Sequence, residues 1–380
     1  MSVFQNNLLA AAAAASAGGD TAYQLWSWGL TSRRPVAAAD TPDPPQRIAD
    51  GPGDWLKATQ SSSGGHGIND SGELWGWGYG TAGRIGVGNT TKYAGNTTTK
   101  YIQVGALTTW DEVSDSNTTT FAIKTDGTLW SWGKGEHGIL GNGSTADICS
   151  PVQVGSLTDW SKLLTAGGAQ TNIGAAIKTD GTLWTWGQGS YGGLGHGNRT
   201  SISSPVQVGS LTDWATVSGG DGSMFGTKTD GTLWAWGRNS TGRLGLGDTT
   251  NRSSPVQIGA LTTWSQVAGG GAFGAALKTD GTLWAWGYNN HGQLGQGNTT
   301  TTSSPVQIGS LTTWSKITCG YYSWLSIKTD NTLWSCGRGG TFGINGSGTT
   351  NNYSSPIQIG TDTDWRVTAG AVLGLKGEAL

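Results

Sequence analysis

The chain has few charged residues and no long apolar run, and each of these features argues against a class of protein. Asp, Glu, Lys and Arg together make up 12% of its 380 residues, and the formal net charge is −2. No block of like charge occurs, so the sequence carries no electrostatic footprint for nucleic acid. The longest apolar run, residues 8–15, falls short of the roughly 20 residues that a membrane-spanning helix requires. We therefore expect neither a nucleic-acid partner nor a membrane span.

Cysteine is also scarce. Cys149, Cys319 and Cys336 form an odd set without C-x-x-C spacing, and the four histidines lie in separate parts of the chain. These patterns predict neither a disulfide framework nor a metal site. Cys319 and Cys336 are close enough in the chain to lie on nearby strands, either as a disulfide or as two buried thiols.

Motifs for cofactor binding and catalysis are missing as well. Three segments match G-x-G-x-x-G, at residues 78–83, 133–138 and 187–192. None of them opens a helix after a strand, as a dinucleotide site requires. No Ser/His/Asp arrangement or acid–base pair stands out from the chain. We expect no cofactor and no catalytic residue.

What the chain does have is a repeat rich in tryptophan and glycine. Leu-Trp-x-Trp-Gly recurs six times, and a seventh copy, Leu333–Gly337, has Cys336 in place of the second tryptophan. The first tryptophans of the seven copies are Trp26, Trp75, Trp130, Trp184, Trp234, Trp284 and Trp334. Successive copies are 49 to 55 residues apart, a period typical of a propeller or solenoid.

Each repeat reads as four short strands. In one copy we predict strand A at residues 264–269, strand B at 273–278, strand C at 282–286 and strand D at 304–309. Asp280 and Gly281 predict a two-residue hairpin turn between strands B and C, with positive φ at both positions. Alternation in strand C places its two tryptophans on one face and small residues on the other. Pro305 marks strand D as the outer edge, where a missing N–H is tolerated.

The two ends of the chain predict a closed ring. Residues 365–370 and 372–376 supply strands A and B without a following C or D, whereas residues 25–29 supply a strand C without a preceding A or B. Joining the ends completes a seventh blade. The predicted fold is all-β: a seven-bladed β-propeller of four-stranded blades over residues 21–380, closed by pairing of N- and C-terminal strands.

Residues 1–20 form an alanine-rich leader with two interpretations. Alanine favours a short helix, and Gly18-Gly19 supplies its end. Such a helix predicts a docking segment that uses Phe4, Leu8 and Leu9. The leader also imitates a secretory signal with a small-residue cleavage site at 15–17, although residues 1–7 lack Lys and Arg.

Candidate binding residues lie in the loops that vary between repeats. Antiparallel threading places the A–B and C–D loops on one face of the disc, and loops that differ on a uniform scaffold usually carry function. The candidates are His66, Asp115, Asn117, Gln170, Asn172, Asp221, Phe273, Tyr321, Tyr322 and Trp324. Trp324 lies outside the regular tryptophan positions. It serves either as part of an aromatic binding cluster with Tyr321 and Tyr322 or as filling for the central channel.

The ordered landmarks of each repeat resemble the regulator-of-chromosome-condensation repeat. They are Lys-Thr-Asp-Gly-Thr-Leu-Trp-x-Trp-Gly, followed after a Gly-rich loop by Ser-Pro-Val-Gln-Ile-Gly. The resemblance implies a seven-bladed β-propeller, and its founding activity is guanine-nucleotide exchange on a small GTPase. Fold alone does not decide function, and this chain has no evident insertion to act as the wedge that such exchange uses.

Three functions are therefore weighed. The first is a non-enzymatic structural or binding propeller of a virion, docked by its leader to neighbouring virion proteins or contacting a host surface component. The leader resembles openings of structural proteins from marine tailed bacteriophages, and the surface is rich in Thr, Asn and Ser. The second is a secreted protein-binding propeller, similar to a bacterial β-lactamase inhibitor of this repeat class. The third is the exchange factor. The first is our prediction, with a virion location.

Overall fold

Seven antiparallel sheets account for nearly all the regular structure. A computed structural model describes residues 23–27, 46–47, 54–61, 64–91, 101–116, 118–166, 172–340, 345–369 and 373–377. Each sheet has four strands in the spatial order D-C-B-A, and one sheet gains a short fifth strand beside strand A. The sheets are the blades of a seven-bladed propeller, as predicted. We number them from the blade that contains the N-terminal strand.

Blades 1 to 4 each contain strands A, B, C and D side by side in that order. Blade 1 comprises Trp365–Ala369, Leu373–Gly377, Tyr23–Ser27 and Gln46–Arg47. Blade 2 comprises Trp55–Ser61, Gly64–Asn69, Leu74–Gly78 and Ile102–Gln103. Blade 3 comprises Trp110–Asp115, Thr119–Lys124, Leu129–Gly133 and Ile148–Gln153. Blade 4 comprises Trp160–Leu163, Ile173–Lys178, Leu183–Gly187 and Ile202–Gln207.

The remaining blades follow the same plan. Blade 5 comprises Trp214–Gly219, Ser223–Lys228, Leu233–Gly237 and Arg252–Gln257. Blade 6 comprises Trp264–Gly269, Phe273–Lys278, Leu283–Gly287 and Thr302–Gln307. Blade 7 comprises Trp314–Cys319, Ser323–Lys328, Leu333–Gly337 and Tyr353–Gln358. The short strand Thr165–Ala166 pairs in parallel with strand A of blade 5 and so links two neighbouring blades.

Helical structure in the described ranges is limited to short 3-10 turns. They are Thr81–Gly83, Glu136–Gly138 and Ser190–Gly192 in the C–D loops of blades 2 to 4. Each contains a non-glycine residue with positive φ: Ala82, His137 or Tyr191. Nowhere in the part of the chain that the structure describes is there a helix with the length and apolarity to cross a membrane.

The core alternates between the two faces of every strand C. In blade 6, Trp286 is fully buried and packs with Trp264 and residues of blade 5. The intervening Leu283 and Ala285 are also fully buried, but they pack with residues of blade 7. Large rings on one side and small side chains on the other let adjacent blades interdigitate, as the sequence predicted.

The prediction for the B–C hairpins is wrong in one respect. Gly281 has a φ of 76°, but Asp280 is not among the residues with positive φ. Gly281 N–H donates to the carbonyl O of Lys278 at 3.0 Å. This is the pattern of a type I turn followed by one left-handed residue, so the loop has three residues rather than two. Asp280 therefore suits this position because of the hydrogen bonds of its side chain and not because of its backbone conformation.

The side chains of Asp280, Thr282 and Trp284 form a chain of hydrogen bonds that recurs in other blades. Asp280 Oδ1 accepts the N–H of Thr282 at 3.0 Å and its hydroxyl at 2.7 Å. The Thr282 hydroxyl oxygen accepts the Nε1–H of Trp284 at 2.9 Å. Lys278 Nζ lies 3.8 Å from the centre of the Trp284 ring. The hydrogen bonds from Thr282 lower the pKa of Asp280. The same contacts recur in blades 3, 4, 5 and 7, which indicates a structural role for these aspartates.

Blade 7 offers a test of the turn. Asn331 stands where the other hairpins have glycine, and its φ is 61°. Asparagine adopts this left-handed conformation at a cost in free energy, because its Cβ is crowded by the backbone, whereas glycine has no Cβ and no such cost. We expect Asn331→Gly to raise the free energy of unfolding by about 0.5–1 kcal/mol, measured by urea denaturation. The matched Gly281→Asn variant should lose more than this, because a Cβ at position 281 would also lie 2.1 Å from the carbonyl O of Thr312. An unchanged or lower stability for Asn331→Gly would contradict this account.

Strand D lies at the outer end of every sheet, as its proline predicted. In blade 6 the pairing of strands C and D shifts register between the pairs Ala285–Val306 and Gly287–Thr302. Pro305 lies inside this irregular stretch, where a missing N–H removes no regular ladder bond. Strands A and B of this blade match the predicted bounds, whereas C lies one residue later and D two residues earlier than predicted.

Blade 1 closes the ring with strands from both ends of the chain. Tyr23 pairs with Gly377, Leu25 with Leu375, and Ser27 with Leu373. The Trp26 ring lies 6.0 Å from the Trp365 ring in an edge-to-face contact. The predicted closure is confirmed.

Candidate binding site on the loop face

Hydrogen bonds between loops define one face of the propeller. In blade 5 the N–H of Arg238, in the C–D loop, donates to the carbonyl O of Gly222, in the A–B loop, at 2.9 Å. In blade 7 Arg338 donates to Tyr322 in the same way at 3.0 Å. The A–B and C–D loops therefore share one face, which we call the loop face. The B–C hairpins and the D–A links lie on the other side, which we call the hairpin face.

The A–B loops of blades 5, 6 and 7 form a hydrogen-bonded arc. Asp221 N–H donates to the carbonyl O of Gly271 at 3.3 Å, and Gly271 N–H donates to Tyr321 O at 2.9 Å. Buried Arg243 braces the arc, because its Nη1 donates to Asp221 O at 2.9 Å and to Gly271 O at 3.0 Å. A Cβ at position 271 would lie 2.7 Å from the Tyr321 ring. The loops are thus positioned closely against each other by backbone and arginine contacts.

Aromatic side chains cluster on this arc. The Tyr321 and Tyr322 rings lie 4.5 Å apart, and the Tyr322 ring lies 4.9 Å from His291. Tyr288 continues the cluster at 6.2 Å from His291. All four side chains are partly exposed. Partly exposed aromatic rings held on a rigid support are typical of protein-binding hot spots.

Arginines border the aromatic rings. Arg238 Nη1 lies 3.2 Å from Asp221 Oδ2, and its guanidinium lies 5.0 Å from the Tyr191 ring. The Arg338 guanidinium lies 5.4 Å from the Tyr322 ring. We define the loop-face patch by its seven partly exposed residues: Asp221, Arg238, Tyr288, His291, Tyr321, Tyr322 and Arg338.

Two groups of the patch have shifted pKa values. Burial, with a smaller contribution from Asp221, raises the pKa of the Tyr321 phenol. Burial also lowers the pKa of His291, and the positive charge of Arg338 adds to this effect. At neutral pH, the Tyr321 phenol is therefore protonated and the His291 imidazole is uncharged, so the arginines supply the positive charge of the patch.

The structure brings some predicted residues together away from the surface. His66 and Asp115 are buried, and His66 Nδ1 lies 2.8 Å from Asp115 Oδ1. Thr120 donates its hydroxyl to the same carboxylate oxygen at 2.8 Å. His66 Nε2 lies 3.3 Å from the carbonyl O of Ile85. These residues join blade 2 to blade 3 in the interior, so the side chains of His66 and Asp115 are not exposed on the loop face.

Other predicted residues divide among three locations. Asp221, Tyr321 and Tyr322 lie on the loop-face patch. Phe273 and Trp324 are fully buried, so neither side chain presents a surface to a partner. Asn172 is partly exposed and donates its amide to Gln188 Oε1 at 3.3 Å. The predicted residues that lie outside the described ranges are Asn117, Gln170, Phe4, Leu8 and Leu9.

The cysteines form no disulfide. Cys149, Cys319 and Cys336 are all free thiols. Cys336 Sγ lies 3.2 Å from the carbonyl O of Gly292 and 3.0 Å from that of Tyr353. Burial raises the pKa of Cys336 to about 12, so it stays protonated. Within the described ranges, no group of three or more His, Cys, Asp and Glu side chains is arranged to hold a metal ion.

Sequence reasoning missed the arginines of the patch, although a signal was available. In blades 2 to 7, the residue directly after the last glycine of strand C begins the C–D loop. At this position the described blades carry Tyr79, Lys134, Gln188, Arg238, Tyr288 and Arg338. Variation directly after a glycine that all seven copies keep is the pattern expected of a surface position on a uniform scaffold.

Comparisons with known proteins agree with this architecture. The regulator of chromosome condensation (RCC1) repeat model matches residues 126–171, 180–225, 230–277 and 280–326, and a second RCC1 repeat model matches residues 264–293. The human E3 ubiquitin-protein ligase HERC2 is 30% identical over 164 residues, which are 41% of this chain and 3% of that protein. The ultraviolet-B receptor UVR8 of Arabidopsis thaliana is 31% identical over 136 residues, 36% of this chain and 30% of the receptor.

Among solved structures, Prp20p from Saccharomyces cerevisiae superposes with a TM-score of 0.80 at 17% identity, covering 94% of this chain and 91% of Prp20p. That likeness concerns the fold alone. The resemblance of residues 1–20 to phage structural proteins receives no support from these comparisons. Seven four-stranded blades with ordered landmarks and four consecutive repeat matches lead to one conclusion: the chain belongs to the RCC1 repeat family.

Proposed function

We propose that this chain is a non-enzymatic propeller that binds a partner protein through its loop-face patch. The observation that carries the proposal is the braced arc of three A–B loops, which holds Tyr321 and Tyr322 beside His291 and Arg338. A binding surface of this kind loses little side-chain freedom when a partner docks, because its rings are already packed against one another.

Relatives with this fold support a binding role. The yeast RCC1 protein Prp20 has been solved bound to Kap60, and its binding to Gsp1p and histones has been described. The present chain covers only a small part of the curated relatives that it matches. Its own partner is therefore proposed from the chemistry of the patch and not from theirs.

Partner capture with paired variants tests the proposal. We expect Tyr321→Ala with Tyr322→Ala to reduce the recovery of a partner from the natural source by about 30-fold or more, because truncation of even one aromatic hot-spot residue costs about 2 kcal/mol or more. The backbone bond from Gly271 to Tyr321 is kept in this variant. Quantitative mass spectrometry of captured proteins, with melting curves to confirm folding, is the measurement.

A hairpin-face variant is the matched control. Leu261 and Leu311 occupy equivalent D–A links and are 48% and 45% exposed. Leu261→Ser with Leu311→Ser should leave recovery of the same partner unchanged. If the partner is lost with the leucine variant and kept with the tyrosine variant, binding occurs on the hairpin face and the proposal fails.

Location is part of the proposal. We place the propeller on a virion, docked through Phe4, Leu8 and Leu9 to other virion proteins, and the alternative is a secreted binder. The intact mass of the protein from its natural source separates the two, since export removes the leader. The exchange-factor alternative requires faster nucleotide release from a small GTPase, which a nucleotide-release assay across a panel of GTPases measures.

A further inference from the structure

The charges of the loop face are unevenly paired. Arg238 and Arg243 both approach Asp221, at 3.2 Å and 3.8 Å from Oδ2. Among the described residues no carboxylate lies within ion-pair distance of Arg338, whose side chain is partly exposed. At the loop-face patch, Arg238, Arg338 and the buried Arg243 are thus set against one carboxylate, and of these three guanidinium groups only that of Arg338 has no ion pair with a described residue.

Arg338 is held in a way that keeps its donors available. Its guanidinium lies 5.4 Å from the centre of the Tyr322 ring. Arginine stacks on aromatic rings through its planar face, which leaves the N–H groups at its edge directed away from the ring. A planar, pre-positioned pair of N–H donors matches the two oxygens of a carboxylate.

The described side chains that adjoin Arg338 include the rings of Tyr322 and His291. The Tyr322 ring packs against His291 at 4.9 Å and against Tyr321 at 4.5 Å. The pKa of His291 is lowered by burial and by Arg338, so its imidazole is neutral at neutral pH. A nearby ligand group therefore meets one positive charge beside a set of rings.

We propose that Arg338 binds a side-chain carboxylate of an acidic segment of the partner protein, while an apolar side chain next to that carboxylate packs on Tyr322 and His291. This inference rests on the proposed function, because it assigns the chemistry of the partner at the same site. Charge complementarity selects the carboxylate, and the aromatic rings select its apolar neighbour.

Two matched peptides probe the site in the full-length protein. Acetyl-Phe-Glu-Phe-amide carries one side-chain carboxylate between apolar groups, and acetyl-Phe-Gln-Phe-amide is its uncharged counterpart. The readout is the ring resonance of His291 in NMR spectra, identified by its disappearance in His291→Gln. We expect the Glu peptide to shift this resonance saturably and to bind about tenfold or more tightly than the Gln peptide, the usual effect of a charge-assisted hydrogen-bonded pair.

Arginine variants complete the test. Arg338→Gln should remove the preference for the Glu peptide, whereas Arg199→Gln, at an exposed position in the C–D loop of blade 4, should keep it. Equal binding of both peptides, no saturable shift by the Glu peptide up to about 10 mM, or an unchanged preference in Arg338→Gln would overturn the inference. Displacement of the Glu peptide by an equal concentration of single-stranded oligonucleotide would overturn it too, in favour of a phosphate ligand.

The peptide experiment and the partner-capture experiment can fail independently, so the failure of this inference can be distinguished from the failure of the proposed function. If the peptides do not discriminate but Tyr321→Ala with Tyr322→Ala still loses its partner, the loop face binds a protein without this carboxylate contact. If the tyrosine variant keeps its partner, the loop-face function itself fails, whatever the peptides show.

Discussion

Replacing Trp324 by glycine is expected to lower the free energy of unfolding by about 3–5 kcal/mol, the usual cost of removing a fully buried aromatic side chain. Trp324 is 0% exposed. Its ring lies 6.0 Å from that of Trp314 in an edge-to-face contact, and its Nε1–H donates to the carbonyl O of Gln293 at 2.9 Å. Glycine leaves a cavity beside Trp314 and a carbonyl group without its donor.

These contacts are the ones that the second tryptophan of strand C makes in other blades. Trp286 of blade 6 donates to the carbonyl O of Arg243 at 2.9 Å. Trp236 of blade 5 packs edge-to-face on the strand A tryptophan Trp214 at 5.8 Å. In the sequence of blade 7 this second tryptophan is missing, and Cys336 occupies its place.

The missing indole is supplied from the neighbouring strand. Trp324 in strand B lies directly opposite Cys336 in strand C. The corresponding pair in blade 6 is Gly274 opposite Trp286, and a Cβ at Gly274 would come within 2.6 Å of the indole. Blade 7 has therefore exchanged the large and small residues across the strand pair and kept one indole in the same place.

The exchange predicts that Cys336→Trp rescues Trp324→Gly. Cys336→Trp alone places two indoles in one site and should cost about 1–3 kcal/mol or more through overpacking. The double variant restores the arrangement of blade 6 and should lie closer to the parent than either single variant. Urea denaturation of the parent, the two single variants and the double variant gives the coupling free energy between positions 324 and 336. If the two single costs simply add, the indoles do not share a site and this interpretation is wrong.

Removing residues 365–380 is expected to abolish the monomeric propeller. The strand Tyr23–Ser27 pairs with Leu373–Gly377 at five residue positions. Trp365 is 1% exposed and packs with Leu325, Ile327 and Leu333 of blade 7. Truncation exposes this cluster and leaves blade 1 without half its strands, and an open sheet edge of this kind associates with other chains. We expect loss of cooperative melting and a shift to oligomers.

A shorter deletion at the other end is the control. Removal of residues 1–21 keeps the strand Tyr23–Ser27, so the closed ring predicts a monomer with an unchanged melting temperature. Size-exclusion chromatography with light scattering and thermal melting measure both variants. A monomeric 365–380 deletion that melts like the parent would show that closure contributes nothing to stability.

Much of the fold was predictable because its signals are local. The tryptophan of strand A recurs in all seven repeats, the Ser-Pro step in five and the Asp-Gly turn in four, so strand positions in blade 6 were predicted within two residues. The turn type was missed, because the Asp-Gly pair serves two loop lengths and only the hydrogen bond from Gly281 N–H to Lys278 O distinguishes them.

The candidate site was only partly predictable. Tyr321 and Tyr322 stood out because aromatic residues are unusual in these loops. Trp324 stood out for the same reason, but its role depends on the residue opposite, Cys336. The sequence pattern assigned His66 and Asp115 to the A–B loops. Each instead belongs to a strand, and its side chain points into the contact between blades 2 and 3.

By itself, the sequence determined the repeat and the four-stranded blade, since both follow from the spacing of residues within about 50 positions. It also determined the closure of the ring, since each end of the chain supplies the strands that the other end lacks. The tertiary structure alone decided which loops converge and which aromatic rings face solvent. Arg243 bridges Asp221 and Gly271, and Gly271 in turn bonds to Tyr321 of the next blade. Such contacts join residues a whole repeat apart, and they exist only after neighbouring blades have packed against one another.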